Sequence, residues 1–62
     1  MKVGDLVEIN DLCRNPKLVG TVGTVVEIGI KEPWHSSILA SVLTTQGLVR
    51  FKEGTPQLEI IT

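Results

Sequence analysis

The stretch GTVGTVVEI at residues 20–28, extended by Gly29 and Ile30, decides the fold of this 62-residue chain. Its valines and isoleucines are β-branched, and such side chains pack well on a pleated sheet but lose rotamer freedom in a helix. The alternation of apolar and polar residues breaks between Val25 and Val26, as a strand requires where it bends. We therefore predict a long, bent strand shared between the two halves of a small β-barrel. The alternative is an irregular hairpin strand in an open sheet.

Four shorter strands are predicted around this one. Alternating residues predict a first strand over 2–10, followed by a loop over 10–18 in which Asn15-Pro16 starts a turn. A second loop covers 31–37, because its proline cannot donate to a sheet ladder. Strands then follow over 38–45, 48–52 and 58–61, with a tight hairpin at 44–47 whose final glycine takes a positive φ. The predicted fold class is all-β, a small five-stranded barrel that forms one domain over residues 1–62.

The inward-facing positions of these strands predict a hydrophobic core. A chain of about 60 residues buries only roughly 60% of its extended surface, so good packing or self-association must stabilise it. Apolar residues on both faces at the start of the third strand suggest that another segment covers the outside there. The expected core residues are Val7, Ile9, Val25, Ile28, Val42, Val49, Phe51, Leu58 and Ile60.

The composition argues against several classes of function. Six Lys and Arg against seven Asp and Glu give a net charge of −1, whereas proteins that bind phosphate backbones usually carry a basic surplus. No stretch approaches the roughly 20 apolar residues of a membrane span, and the chain begins on a strand rather than a signal peptide. A single free cysteine is typical of a reducing compartment. We expect a cytoplasmic protein without a membrane segment, and nucleic acid is disfavoured as a partner.

Neither catalysis nor metal binding is indicated. Cys13 and His35 are the only residues of their types, and together they fall short of the four ligands of a structural zinc site. A Cys13–His35 nucleophile pair lacks an orienting third group, and a free cysteine is usually an apolar filler. Glu8, Glu27 and Glu59 alternate with apolar residues, which favours outward-facing charge pairs with the arginine of the fourth strand. We expect no enzyme activity, cofactor or metal.

The second loop has the composition of a contact surface. Trp34 and Phe51 are the only aromatic residues, and Phe51 faces the predicted core, so stacking platforms and aromatic cages are not indicated. Trp34 stands close to a proline and two large apolar residues, in a chain of positive mean hydropathy, and tryptophan is enriched at interfaces. We predict a protein-binding surface; alternatively, Trp34 is a lid over one end of the barrel. The predicted interface residues are Trp34, His35, Ile38, Leu39 and Ile61, the last on an edge strand that a neighbour could extend.

The spacing of glycines and hydrophobic residues resembles a known family. The pattern GxxGxVxxI from residue 20, preceded by VGDLVEI at 3–9, resembles the core of KOW-type SH3-like barrels of ribosomal proteins and transcription elongation factors. With GLVRF at 47–51 and LEII at 58–61, nearly the whole chain resembles the short SH3-like proteins of tailed bacteriophages, including cyanophages. The resemblance implies a structural or protein–protein interaction module, either a virion component or a host-directed binder in the bacterial cytoplasm. The implied partner is the protein itself, as a homo-oligomer, or a larger viral or host protein.

The likeness to KOW domains also implies an alternative function, an adaptor that binds nucleic acid or the ribosome. Its contacts would be Arg14 and Lys17 in the first loop and Arg50 and Lys52 on the fourth strand. The chain lacks the basic surplus of nucleic-acid-binding KOW domains. Salt-dependent binding of RNA or DNA would support this alternative.

Overall fold

The computed structural model describes residues 1–61, which form five antiparallel β-strands in one sheet and no helix. The strands are β1 (Leu6–Ile9), β2 (Val22–Ile30), β3 (Leu39–Thr44), β4 (Gly47–Lys52) and β5 (Leu58–Ile60). Their order across the sheet is β4-β3-β2-β1-β5, which places the long strand at the centre. The predicted all-β class and the five strands are confirmed.

Most of the buried strand residues lie on one face of the sheet, its inner face, and most of the exposed ones lie on the outer face. The edge strands β4 and β5 do not pair with each other within residues 1–61, so hydrogen bonds do not close the sheet. The inner face is nevertheless buried without a second layer, which requires the sheet to curve around its own side chains. The core cluster comprises Val7, Ile9, Leu18, Val25, Val42 and Phe51, with Met1, Cys13, Val49 and Leu58 packed against it.

β2 bends where the sequence predicts. Val25 pairs with Val42 of β3, and the next pair joins Glu27 to Ser41, so Val26 is an extra residue in β2. An extra residue on one strand of an antiparallel pair is a β-bulge, which bends the strand and increases its twist. The break in the sequence pattern at this position is therefore confirmed as a bulge.

Two predicted core residues are exposed instead. Ile28 is 38% exposed, because a second register shift follows the bulge before Ile30, at a point where Gly29 has a φ of 72°. Ile60 lies opposite Val7 on the inner face but is 50% exposed, because β5 is an edge strand. The prediction of both residues as core is wrong, since simple alternation ignores bulges and sheet edges.

Gly23 lies where β2 and β3 leave no room for a side chain. A Cβ atom at this position would lie 2.6 Å from Cγ1 of Val42 and 2.8 Å from the carbonyl oxygen of Leu43. The φ of Gly23 is not positive, unlike that of the turn glycines. Space between strands, rather than the bend that the sequence suggests, therefore requires glycine here.

The first loop ends at Leu18, a core residue that the sequence prediction missed. Asn15 starts a turn as predicted, since its Oδ1 accepts a hydrogen bond from Lys17 N at 3.1 Å and its carbonyl oxygen accepts one from Leu18 N at 3.0 Å. The turn carries Leu18 into the core, where only 8% of it is exposed. The loop is thus not wholly exposed, and β2 begins at Val22, two residues later than predicted.

The predicted tight hairpin joins β3 to β4. Thr44 pairs with Gly47, whose φ of 108° confirms the need for glycine at this position. The hydroxyl of Thr44 donates to the carbonyl oxygen of Gly47 at 2.8 Å and accepts a hydrogen bond from Gln46 N at 3.0 Å. These bonds hold the turn and thereby set the register of β4 against β3.

Candidate functional site

The second loop presents its tryptophan at the tip of a β-turn. His35 N donates to the carbonyl oxygen of Glu32 at 3.0 Å, which closes a four-residue turn with Pro33 and Trp34 at its centre. Proline suits the first central position, because its ring fixes φ near the value that common turns require. The second central position projects Trp34, which is 77% exposed. Trp34 is therefore not a lid over the sheet.

Two contacts join the second loop and its end to the β4 side of the sheet, and a third holds the end of β2 from which the loop starts. The carboxylate of Glu32 pairs with the guanidinium of Arg50 on β4, with 2.6 Å between Oε1 and Nη1. Beyond the turn, Glu53 N donates to the carbonyl oxygen of Ile38 at 2.8 Å. Before the turn, Gly29 N donates to Oε2 of Glu53 at 3.2 Å. Both ends of the second loop are thus held, and the turn is presented in one place.

The second loop covers part of the outer face. Val42 faces inward and side chains alternate along a strand, so Leu39 and Ser41 point outward. They are nevertheless only 6% and 1% exposed. Arg50 lies directly opposite Ser41, so its ion pair with Glu32 places the loop over these positions. The expectation that something covers the outside of β3 is confirmed.

The predicted interface residues fall into three groups. Trp34, His35 and Ile38 are all exposed on the second loop and form one region, called here the tryptophan surface. Leu39 is only 6% exposed, so it is not part of this exposed region. Ile61 is exposed but follows β5, and its N–H donates to the carbonyl oxygen of Leu6 at 2.9 Å. In the strand order, β1 and β2 separate Ile61 from the strand that follows the loop.

An open cleft of about 430 Å³ adjoins the tryptophan surface through a shared residue, Ile38. Its other lining residues are Met1, Ser37, Lys52, Glu53 and Gly54. Lys52 and Glu53 thus place one cationic and one acidic side chain at the cleft, and the other lining side chains are apolar or small. The sequence pattern gave no sign of this cleft, because its walls come from distant parts of the chain.

Exposed apolar side chains of β1, β3 and β4 lie in one row across the outer face, with Thr24 at the β2 position of the row. The register places Leu6 beside Thr24, Thr24 beside Leu43 and Leu43 beside Leu48. Ile61 extends this apolar row past β1 through its hydrogen bond to Leu6. Leu43 is 53% exposed and Leu48 is 60% exposed. The row depends on the register of three strand pairs and on the hydrogen bond of Ile61, so sequence alternation alone could not reveal it.

The cations predicted for nucleic-acid binding occur as two pairs on different elements of the fold. Arg14 and Lys17 are exposed in the first loop, which is joined near β5 by the hydrogen bond from Asn10 N to Gln57 O at 2.9 Å. Arg50 and Lys52 lie on β4, the opposite edge in the strand order. The charge of Arg50 is already compensated by the second loop. The two pairs of cations thus lie at opposite ends of the strand order.

The predicted outward charge pairs are not formed as expected. Glu8 lies directly opposite Glu59, so two like charges face each other across β1 and β5. The side-chain amide of Asn10 donates to Oε2 of Glu59 at 3.1 Å. Arg50 instead pairs with Glu32 in the second loop, a partner that the sequence prediction missed.

The remaining reactive residues occupy separate parts of the fold. Cys13 is partly buried against the core, whereas His35 is exposed on the tryptophan turn. Within residues 1–61, no three His, Cys, Asp or Glu side chains lie together at a spacing suited to a metal ion. No helix in the same residues is long and apolar enough to cross a bilayer.

Comparisons with protein-family models, with curated proteins and with solved structures found no match for this chain.

Proposed function

We propose that this chain is a non-enzymatic protein–protein interaction module that docks through the tryptophan surface. The main observation in support is that Trp34 is 77% exposed at the tip of a turn that is held against the sheet. Tryptophan is the largest apolar side chain, and burying it against a partner removes more apolar area from water than any other single residue here. Tryptophan is also prominent among the few residues that dominate binding energy at interfaces.

The tethers of the turn support this role, because association costs free energy when it immobilises loops and side chains. A turn already fixed by the Glu32–Arg50 ion pair and closed by the His35–Glu32 hydrogen bond loses little further freedom on binding. The exposed Ile38 extends the same region towards the open cleft. A partner with a shallow apolar pocket for an indole ring would match this surface.

We propose further that the curved sheet is an SH3-like barrel of the kind found in short proteins of tailed bacteriophages. Its support is the strand order β4-β3-β2-β1-β5, the bent central strand and the core enclosed without a second layer. On this proposal the partner is a larger viral or host protein, and the protein acts in a virion or in the bacterial cytoplasm. Self-association is the second form of docking, since the apolar row exposes one leucine on each of β1, β3 and β4.

Site-specific photo-crosslinking tests the tryptophan surface. A photoreactive residue placed at Trp34 is compared with one placed at Leu12, which is 57% exposed in the first loop. We expect position 34 to capture one defined protein, or a second copy of the chain, that position 12 does not capture. Capture should weaken when Glu32→Gln loosens the turn. Equal capture from both positions would remove the tryptophan surface from consideration.

A further inference from the structure

The backbone of β4 directs hydrogen-bonding groups away from the sheet. Glu53 N donates to the carbonyl oxygen of Ile38, so these residues form a hydrogen-bonded pair at the end of the β3–β4 ladder. Hydrogen-bonded and non-hydrogen-bonded pairs alternate along an antiparallel ladder. Leu48, Arg50 and Lys52 therefore stand in non-hydrogen-bonded pairs with β3. Their N–H and C=O groups point to the open side of β4, called here the β4 edge.

These outward groups have few partners within the described residues. The carbonyl oxygen of Lys52 accepts a hydrogen bond from Thr55 N at 3.1 Å. Across residues 1–61, no backbone partner occupies the remaining groups, which are the N–H and C=O of Leu48 and Arg50 and the N–H of Lys52. Unpaired edges of this kind are templates for another strand. The edge at β5 is less suitable, because that strand has only 3 residues and follows a proline closely.

We propose that the β4 edge binds an extended segment of another protein as a sixth, antiparallel strand. Addition of a peptide strand to a sheet edge takes its affinity from main-chain hydrogen bonds and its specificity from alternate side chains. The incoming strand would satisfy the outward groups of Leu48, Arg50 and Lys52. It would also cover Val49, which is only partly buried against the core because β4 is an edge. This inference does not depend on the tryptophan surface.

The side chains of β4 define the chemistry of that segment. β4 carries two cations and no carboxylate, and only Arg50 has an ion-pair partner among residues 1–61, so Lys52 favours an acidic residue opposite it. Leu48 is 60% exposed and favours an apolar residue opposite it on the outer face. Between them, the inward positions lie beside Phe51 and Val49 and favour apolar residues. From its N-terminus, the predicted segment therefore has an acidic residue, an apolar residue, a residue of any type and two apolar residues.

A second copy of the chain fits this edge poorly. Two-fold pairing of β4 with itself, in the register that uses all three outward-facing residues, places Arg50 opposite the same arginine of the other copy. Like charges directly opposite each other destabilise a strand pair. The cations at the β4 edge thus favour a partner segment of opposite charge over self-pairing.

Nuclear magnetic resonance titration of the isotope-labelled chain tests the proposal. The probe is the blocked peptide Glu-Val-Thr-Val-Leu, and its control is Lys-Val-Thr-Val-Leu. We expect the acidic peptide to shift the amide signals of Leu48, Arg50 and Lys52, and the basic peptide to bind several-fold more weakly. Trp34→Ala should leave this binding unchanged, which separates the two surfaces. Shifts confined to other residues, or none at millimolar peptide, would overturn the proposal.

Two further variants test the register and the backbone contacts. Lys52→Glu should reverse the preference between the two peptides, by roughly fivefold in each direction for an exposed pair. Leu48→Pro removes an outward N–H without removing a bond to β3, and should abolish peptide binding. Its control Leu48→Thr keeps the N–H and should still bind. An unchanged peptide preference in Lys52→Glu would refute the antiparallel register, and this variant remains decisive if the proline variant does not fold.

Discussion

Replacing Gly23 with alanine adds a methyl group where β2 and β3 leave no room for it. The new Cβ would lie 2.6 Å from Cγ1 of Val42, 2.8 Å from the carbonyl oxygen of Leu43 and 2.9 Å from Cγ2 of Thr44. Optimal contacts between carbon atoms are about 3.5–4.0 Å. The two side chains would have to move within a packed inner face, and the carbonyl belongs to the paired backbone of β3.

The free energy that Gly23→Ala is expected to cost is a large part of the unfolding free energy of the domain. Overpacking of a core costs about 1–3 kcal/mol, while the lower unfolded-state entropy of alanine returns roughly 0.4–1 kcal/mol. We expect a net loss of about 1–2 kcal/mol, which for a domain of this size lowers the melting temperature by roughly 4–16 °C. The whole domain has only about 3–9 kcal/mol of unfolding free energy at the usual value per residue.

A double-mutant cycle with Val42→Ala tests the steric cause. Thermal and urea unfolding should be followed by far-ultraviolet circular dichroism, because Trp34 is 77% exposed and its fluorescence reports folding poorly. Val42→Ala removes the nearest clashing atom, so the cost of Gly23→Ala should fall in that background. The control Gly29→Ala has a φ of 72° and open space around its Cβ, so its cost should be the same in both backgrounds. A cost of Gly23→Ala that is zero, or independent of Val42, would refute the steric argument.

Two other predictions concern the core and the tethered turn. Val42→Ala alone should reduce the unfolding free energy by about 2 kcal/mol, because it truncates a fully buried side chain. Val22→Ala on the outer face should change the unfolding free energy by less than about 0.5 kcal/mol. Both values are measured by urea titration, and equal effects would contradict the assignment of the two faces. Glu32→Gln should change stability by less than about 1 kcal/mol but lower the heteronuclear Overhauser effect of the Trp34 amide. Arg50→Gln should do the same, and an unchanged value in both variants would show that the ion pair does not hold the turn.

The strands were predictable from sequence because their determinants are local. β-branched residues, glycines and prolines mark where strands begin, bend and end, so the five strands, the hairpin at Gly47 and the bulge at Val26 could all be anticipated. Side-chain direction was less predictable. The bulge and the second register shift change which residues of β2 face inward, so Ile28 was misplaced, and the anchoring of Leu18 depends on how the first loop folds back.

The candidate site was only partly predictable for a related reason. The sequence predicted that Trp34 lies in a loop but left open whether it is exposed or covers one end of the barrel. The ion pair that holds its turn joins Glu32 to Arg50, 18 positions apart in sequence. The apolar row and the outward groups of the β4 edge arise from the pairing of strands. Neither feature has a signature within any single stretch of the chain, so the sequence could suggest the loop as a contact surface but not the sheet.

The tethered turn has a consequence for how this small domain can change. Its central residues, Pro33 and Trp34, are both exposed and contribute nothing to the core cluster. Glu32, Arg50 and Glu53 hold the loop from outside those two positions. On the proposed function, mutations at the tip would alter what the turn binds while the sheet keeps its stability. The sheet would then be a scaffold whose exposed turn can be varied, or exchanged by design, without repacking the interior.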